Sequence, residues 1–173
     1  YGIQTLRKSI PATAQGMNVE LPAATINDYP RFAYRGMMLD VSRHFFPVDS
    51  VKTYLDILAL HNQNTFHWHL SDDQGWRIEI KKYPELTQIG SKRKETVIGH
   101  NSGTYDGKEY GGFYTQDQIR DVINYAAERH ITIIPEIDMP GHQLAALATY
   151  PELGCTGGPY DVWGQWGVAD DVI

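Results

Sequence analysis

The stretch Thr-Phe-His-Trp-His-Leu-Ser-Asp-Asp-Gln-Gly-Trp-Arg, residues 65–77, decides the fold. An apolar, aromatic run stops there at two adjacent carboxylates, Asp72 and Asp73. Two histidines, two tryptophans and an arginine fall within the same span. Buried acids and imidazoles are costly unless partnered. Such a composition suits the mouth of a pocket, where a strand ends and a loop begins, better than it suits a core.

Working outward, Gly36 to Val41 is another short apolar run and fits a buried parallel strand. Ser42, Arg43 and His44 end it with polar groups. Pro47 to Asn62 reads as a helix, with Val51, Tyr54, Leu55 and Leu58 on one face and Asp49 or Ser50 as the expected cap. The segment 78–112 is glycine-rich and reads as a long irregular loop, a length that is often functional. Thr115 and Gln118 form a capping box opening a helix with a face of Ile119, Val122, Ile123 and Ala126. Ile131 to Ile137 is a third apolar strand, followed by Asp138 and His142. Gln143 to Thr149 can form a short helix, and 154–167 reads as loop.

The order strand, helix, strand, loop, helix, strand, short helix predicts an α/β fold with parallel strands. All three strands end in titratable residues, as at the C-terminal edge of parallel sheets. No glycine-rich phosphate loop follows a strand, so a (β/α)8 TIM barrel fits better than a doubly wound sheet. About three of its eight units are present, since a whole barrel needs roughly 250 residues. Residues 1–28 stand apart. Ile3, Leu6 and Ile10 have helical spacing up to Pro11, and 17–26 is extended in character. This piece is expected to be the tail of a preceding small α/β domain, with the barrel segment covering 29–173. The chain opens Tyr-Gly-Ile-Gln without an initiator Met, so processing, or excision from something longer, is expected.

Composition narrows the partners. The net charge is −6 and the longest basic run is Lys92-Arg93-Lys94, which disfavours nucleic acid or an anionic membrane. No apolar stretch approaches the roughly 20 residues of a membrane span. Cys155 is the one cysteine, so no internal disulfide can form. The 11 Tyr and 4 Trp suit either a tyrosine-rich core and surface or aromatic faces stacked on sugars.

Arg43, Asp72, Asp138 and His142 carry the candidate chemistry. Arg43 offers a planar fork for adjacent hydroxyls or a carboxylate, or a structural salt bridge. Of the two acids at the strand end, Asp72 is expected to face the pocket and Asp73 to brace a loop. Pro140 and Gly141 can fold His142 back towards Asp138, a carboxylate that would fix the imidazole tautomer. His67 and His69 have metal-ligand spacing, but packing inside a barrel is the plainer account. A metal-dependent amidohydrolase-type barrel using His67, His69, Asp138 and His142 is one alternative, and a non-catalytic sugar-binding protein is another. No nucleophile-elbow sequence supports a Ser/His/Asp triad.

Three motifs together resemble the β-N-acetylhexosaminidases of glycoside hydrolase family 20. They are Arg-Gly-Met-Met-Leu-Asp-Val-Ser-Arg-His-Phe-Phe (35–46), His-Trp-His-Leu-Ser-Asp-Asp-Gln-Gly-Trp-Arg (67–77) and Pro-Glu-Ile-Asp-Met-Pro-Gly-His (135–142). The resemblance implies exo-hydrolysis of terminal β-linked N-acetylglucosamine or N-acetylgalactosamine from an oligosaccharide or glycoconjugate. It implies retention of configuration through attack by the substrate's own 2-acetamido oxygen, with no metal or organic cofactor. By position, Arg43 matches the arginine holding the outer hydroxyls of the sugar. Asp72 and His142 match the pair that tunes the catalytic acid, and Asp138 a supporting acid beside them. The family's Asp-Glu pair after a His-x-Gly-Gly run does not occur in these residues, and Asp170-Asp171 does not replace it. The chain is therefore expected to be a piece of the enzyme, inactive alone for want of its general acid. The family is compatible with export, but no residue here specifies a compartment.

Overall fold

The computed structural model describes residues 1–14 and 16–173. The chain is an α/β protein built on three parallel strands: β1 (Gly36–Asp40), β2 (Thr65–His69) and, later in the chain, β7 (Thr132–Glu136). Their order in the sheet is β1-β2-β7. The register sets Asp40 beside His69 and His69 beside Glu136, so three ionisable groups share the last row.

Alternation then sorts the faces. Phe66 and Trp68 point to one side and, with Leu70, are buried against α2 (Val48–Leu60) and α4 (Gln116–Ala127). Val51, Leu55 and Leu58 come from α2, and Val122 and Ala126 from α4. The opposite face carries Met38, His67 and Ile134 in one row and Asp40, His69 and Glu136 in the next. Met38 is 51% exposed and Ile134 41%. β1 and β7 are thus not the doubly buried strands that their apolar runs predict, because helices cover one face only. Ile123 likewise lies outside the packed stripe of α4, 46% exposed.

Between β2 and α4 the chain is more ordered than its glycines suggest. β3 (Ser71–Asp72) and β4 (Gly75–Trp76) pair antiparallel and turn the chain just past β2. A short helix α3 (Glu85–Gln88) follows, and β5 (Lys92–Arg93) pairs with β6 (Tyr110–Gly111) to close the long loop. After β7 comes α5 (Leu144–Leu147), which joins Trp76 and Leu86 in a second small core through Ala145 and Ala146. Residues 154–167 form no helix or strand.

The N-terminal helix α1 (Gly2–Lys8) buries no residue, and 18–30 form no strand despite their extended character. Within the segment Thr5 Oγ1 donates to Asp28, and Tyr1 ties it to the body: its hydroxyl donates to the His130 carbonyl at 3.1 Å and the Arg35 guanidinium lies over its ring.

Helix ends follow the chemistry at one terminus and depart from it at another. Thr115 caps α4: its hydroxyl accepts the Gln118 N–H while the Gln118 side chain accepts the Thr115 N–H. The start of α2 is different. Pro47 occupies the cap position and neither Asp49 nor Ser50 makes a capping bond. Pro47, its φ held at −65° by the ring, brings no hydroxyl or carboxylate to where the cap would be. Asn62, just past α2, adopts φ 59°, the left-handed stop that Asn tolerates. Thr115→Ala is expected to cost about 1 kcal/mol, and Ser50→Ala less than about 0.5 kcal/mol, read from urea denaturation midpoints.

Candidate functional site

The C-terminal edge of the sheet gathers one charged cluster. Its centre is Asp72, the last residue of β3, with a fully buried side chain. Asp72 Oδ2 lies 2.6 Å from Arg43 Nη1 and 2.7 Å from His69 Nε2. Asp72 Oδ1 lies 3.1 Å from His142 Nδ1 and accepts the Asp73 N–H at 2.7 Å. Arg43, just past β1, also pairs with Asp40 at 2.9 Å, and its Nη2 lies 3.4 Å from His142 Nδ1. Arg43, His69 and His142, from three separate segments, therefore meet around one carboxylate.

A second carboxylate reaches the cluster from β7. Glu136 Oε2 lies 2.8 Å from His69 Nδ1 and 2.5 Å from His67 Nε2. Burial pulls the His69 imidazole down, but its bonds to Asp72 and Glu136 outweigh that and push it up to about 9. Burial pushes Glu136 up, and the two imidazoles more than reverse it, holding the carboxyl below its ordinary range.

Asp73 does what an adjacent acid was expected to do and braces loops. Its Oδ1 accepts the Leu144 N–H at 3.1 Å and its Oδ2 the Ala169 N–H at 3.5 Å. Burial pushes its carboxyl up, against the pull of the Leu144 amide. His142 sits at φ 59°, a left-handed conformation that costs a non-glycine residue about 1–2 kcal/mol. The turn does not fold it against the Asp138 carboxylate. Its carboxylate partners are Asp72 and, at 3.5 Å, Asp73. Asp138 enters through its backbone: its N–H donates to Ser71 Oγ at 3.3 Å and its carbonyl accepts from Gln143 Nε2. Among the described residues its side chain makes no hydrogen bond or ion pair. The local partner is displaced by the buried Asp72, whose Oδ1 lies 3.1 Å from His142 Nδ1.

Sequence reasoning left three contributors unassigned. Glu136 ends the third strand, and only its register beside His69 exposes its part in the cluster. Arg77 is buried and donates to five carbonyls, of Val41, Ser42, Gln74, Ser91 and Gly112. Burial pulls it down to about 10, still charged at neutral pH. Arg93 donates to the Arg43 carbonyl at 2.9 Å and stacks over Tyr110. Alternation within 65–70 could have flagged His69 as sharing a face with other strand ends; nothing local marks Arg77.

The residues of the metal alternative are not assembled. The one three-residue group with metal-ligand proximity among the described residues is Asp72, Asp73 and His142. Its oxygens are already engaged by Arg43, His69 and backbone amides, and a guanidinium 2.6 Å from Asp72 repels a second cation. The chemistry of this donor set is that of ion pairs. The pocket beside it, lined by Arg43, Gln74, Arg93 and Trp166, measures about 10 Å³, the space of one water. A cavity of about 450 Å³ between α1 and Arg35 is lined by none of the cluster.

A parallel sheet whose C-terminal edge concentrates a buried carboxylate, imidazoles and a guanidinium defines an α/β protein with its site at the strand ends. The family model "Glycosyl hydrolase family 20, catalytic domain" matches residues 32–173, and the chain belongs to that family. It is 50% identical over 177 aligned residues to a β-hexosaminidase of Porphyromonas gingivalis, covering 99% of this chain and 22% of that relative. A mutant Streptomyces plicatus β-hexosaminidase, solved in complex with product GlcNAc, superposes with a TM-score of 0.84. The identity is 44%, over 99% of this chain and 33% of that one. The Vibrio harveyi exo-β-N-acetylglucosaminidase, solved with N-acetylglucosamine, is 55% identical at a TM-score of 0.65, over 73% of this chain and 20% of that one. The chain thus spans about a fifth to a third of the length of these relatives.

Two outcomes test the cluster. His69 holds its proton more tightly folded than unfolded, so its contribution is complete below about pH 6.5 and is lost as pH rises through about 9. Glu136, held low, contributes above its ordinary range and loses this as pH falls. Thermal unfolding across pH 4–10 should peak near neutrality, with an alkaline loss of up to ~3 kcal/mol that His69→Gln removes. Asp72→Asn should destabilise the chain by about 3–5 kcal/mol, read from denaturant unfolding, because it strands Arg43 and His69 without their anion.

Proposed function

We propose that this chain belongs to an exo-β-N-acetylhexosaminidase, which removes terminal β-linked N-acetylglucosamine or N-acetylgalactosamine from oligosaccharides or glycoconjugates. The observation carrying this reading is the meeting of Arg43, Asp72 and His142 within 2.6–3.4 Å at the sheet edge, from three separate motifs. The relatives' names, and the N-acetylglucosamine bound in two of the solved structures, support it.

Each residue then has a part. Arg43 is anchored through Nη1, while its Nε makes no hydrogen bond among the described residues, leaving donors for the outer hydroxyls of a terminal sugar. Asp72 fixes His142 with Nδ1 towards the carboxylate, so Nε2 is free to meet a carboxylic acid and tune its proton affinity. Asp138, with its side chain unclaimed by the described residues, is a supporting acid. The reaction is substrate-assisted: the 2-acetamido oxygen attacks the anomeric carbon with retention, while a carboxylic acid protonates the leaving oxygen. No Glu in these residues follows the family's His-x-Gly-Gly-Asp pattern, so the donor is supplied from outside them.

The same reading makes 29–173 the first three units of a (β/α)8 barrel and 1–28 the end of a preceding accessory domain. Support for the barrel comes from the bare face of the sheet and from an apolar groove of about 350 Å³ beside β7, lined by Ile119, Ile123, Ile133 and Pro135. A further β/α unit would cover it. Support for the boundary comes from the absence of any buried residue before Val41 among the described residues and the start of the family match at residue 32.

The test is hydrolysis of an aryl N-acetylglucosaminide. The 173 residues alone are expected to be slower by about 10²–10⁴-fold than a longer protein that continues into an Asp-Glu pair. Equal rates would refute the assignment of the acid, and an inactive longer protein that still binds N-acetylglucosamine would favour a sugar-binding role.

A further inference from the structure

His69 projects onto the bare face of the sheet with a carboxylate at each ring nitrogen. Nε2 lies 2.7 Å from Asp72 and Nδ1 2.8 Å from Glu136. A neutral imidazole has one N–H and one lone pair, so it can satisfy only one of these oxygens. The imidazolium has two N–H donors and satisfies both. The side chains of His69 and Asp72 are 5% and 0% exposed, which shuts water out on the Asp72 side, while Glu136 keeps 29% of its side chain exposed.

We propose that His69 is a cationic strut, anchored by Glu136, that fixes Asp72 with its second oxygen facing His142. His69 and Glu136 are thereby positioning residues for the site. What the strut serves rests on the glycosidase reading; its existence stands on side-chain geometry alone. The backbone builds it, since Asp40, His69 and Glu136 occupy one row across three paired strands.

The surrounding charges favour the cation. Asp40 comes from β1, Asp72 and Asp73 from the turn after β2, and Glu136 from β7. Opposing it is Arg43, whose Nη1 lies 3.1 Å from His69 Nε2. That contact is bridged by Asp72 Oδ2, which both cations share. His67 meets the same Glu136 oxygen as His69, and His142 lies on the far oxygen of Asp72. The upward displacement of the His69 imidazole to about 9 agrees with this balance.

Nitrogen-15 NMR of the ring nitrogens in the 173-residue chain tests the strut with no substrate present, so a failed hydrolysis assay and a failed strut are told apart. His69 should show two protonated nitrogens through pH 8. Glu136→Gln should lower its protonated fraction at pH 8 from about nine-tenths to about one-tenth. It should also move the ring signals of His142, although Glu136 and His142 share no hydrogen bond among the described residues. A neutral His69 at pH 7 in the unaltered chain overturns the proposal, and this holds even if the variant fails to fold. In a folded variant, an unchanged His69 titration or unmoved His142 signals overturns the anchoring by Glu136.

Discussion

The site depends on one buried guanidinium. Arg77 reaches the ends of β1 through Val41 and Ser42, the β3–β4 turn through Gln74, and both arms of the long loop through Ser91 and Gly112. Among the described residues it has no carboxylate partner. Five carbonyl dipoles take that place, and a planar fork with five N–H donors is the side chain able to bind several at once. Gly75 makes room for it, because a Cβ there would collide with the guanidinium. Since the carbonyls belong to segments on either side of Asp72 and Arg43, the clamp fixes where those two charges stand.

Around that clamp the strand ends behave as a single electrostatic unit. Asp72 is fully buried, and Arg43, His69, His142 and the Asp73 N–H take the place of water around its two oxygens. Arg43 and His69 come from the ends of two paired strands, so register converts sheet pairing into charge pairing. His142 joins by accepting a left-handed backbone, and Asp73 holds the adjoining loops through amide hydrogen bonds instead of contributing a free charge. Arg43 accordingly has two attachments to acids and still keeps a donor edge open.

Periodic segments were legible in the residues. Val51, Leu55 and Leu58 marked the inner face of α2, the aromatic alternation from Phe66 to Leu70 marked β2, and Thr115 with Gln118 marked a true cap. These signals are local, arising from chain geometry within a turn or two. The missing cap at Asp49 and Ser50, the half-exposed Ile123 and the open face of β1 and β7 were not legible. Each depends on what does or does not pack opposite. The long loop hid a helix and a strand pair because its glycines gave no periodic signal, while Arg77 supplied the missing order from a distance.

By itself the sequence determined the α/β alternation, the crowding of ionisable groups at strand ends and the family those motifs belong to, because these are properties of neighbours along the chain. Only the tertiary structure decided which acid meets which base. His142 lies four residues from Asp138 but pairs with Asp72, seventy positions away. Glu136 meets His69 because parallel register sets them side by side. Charges pair by distance and burial in space, and neither is written in the interval between two residues.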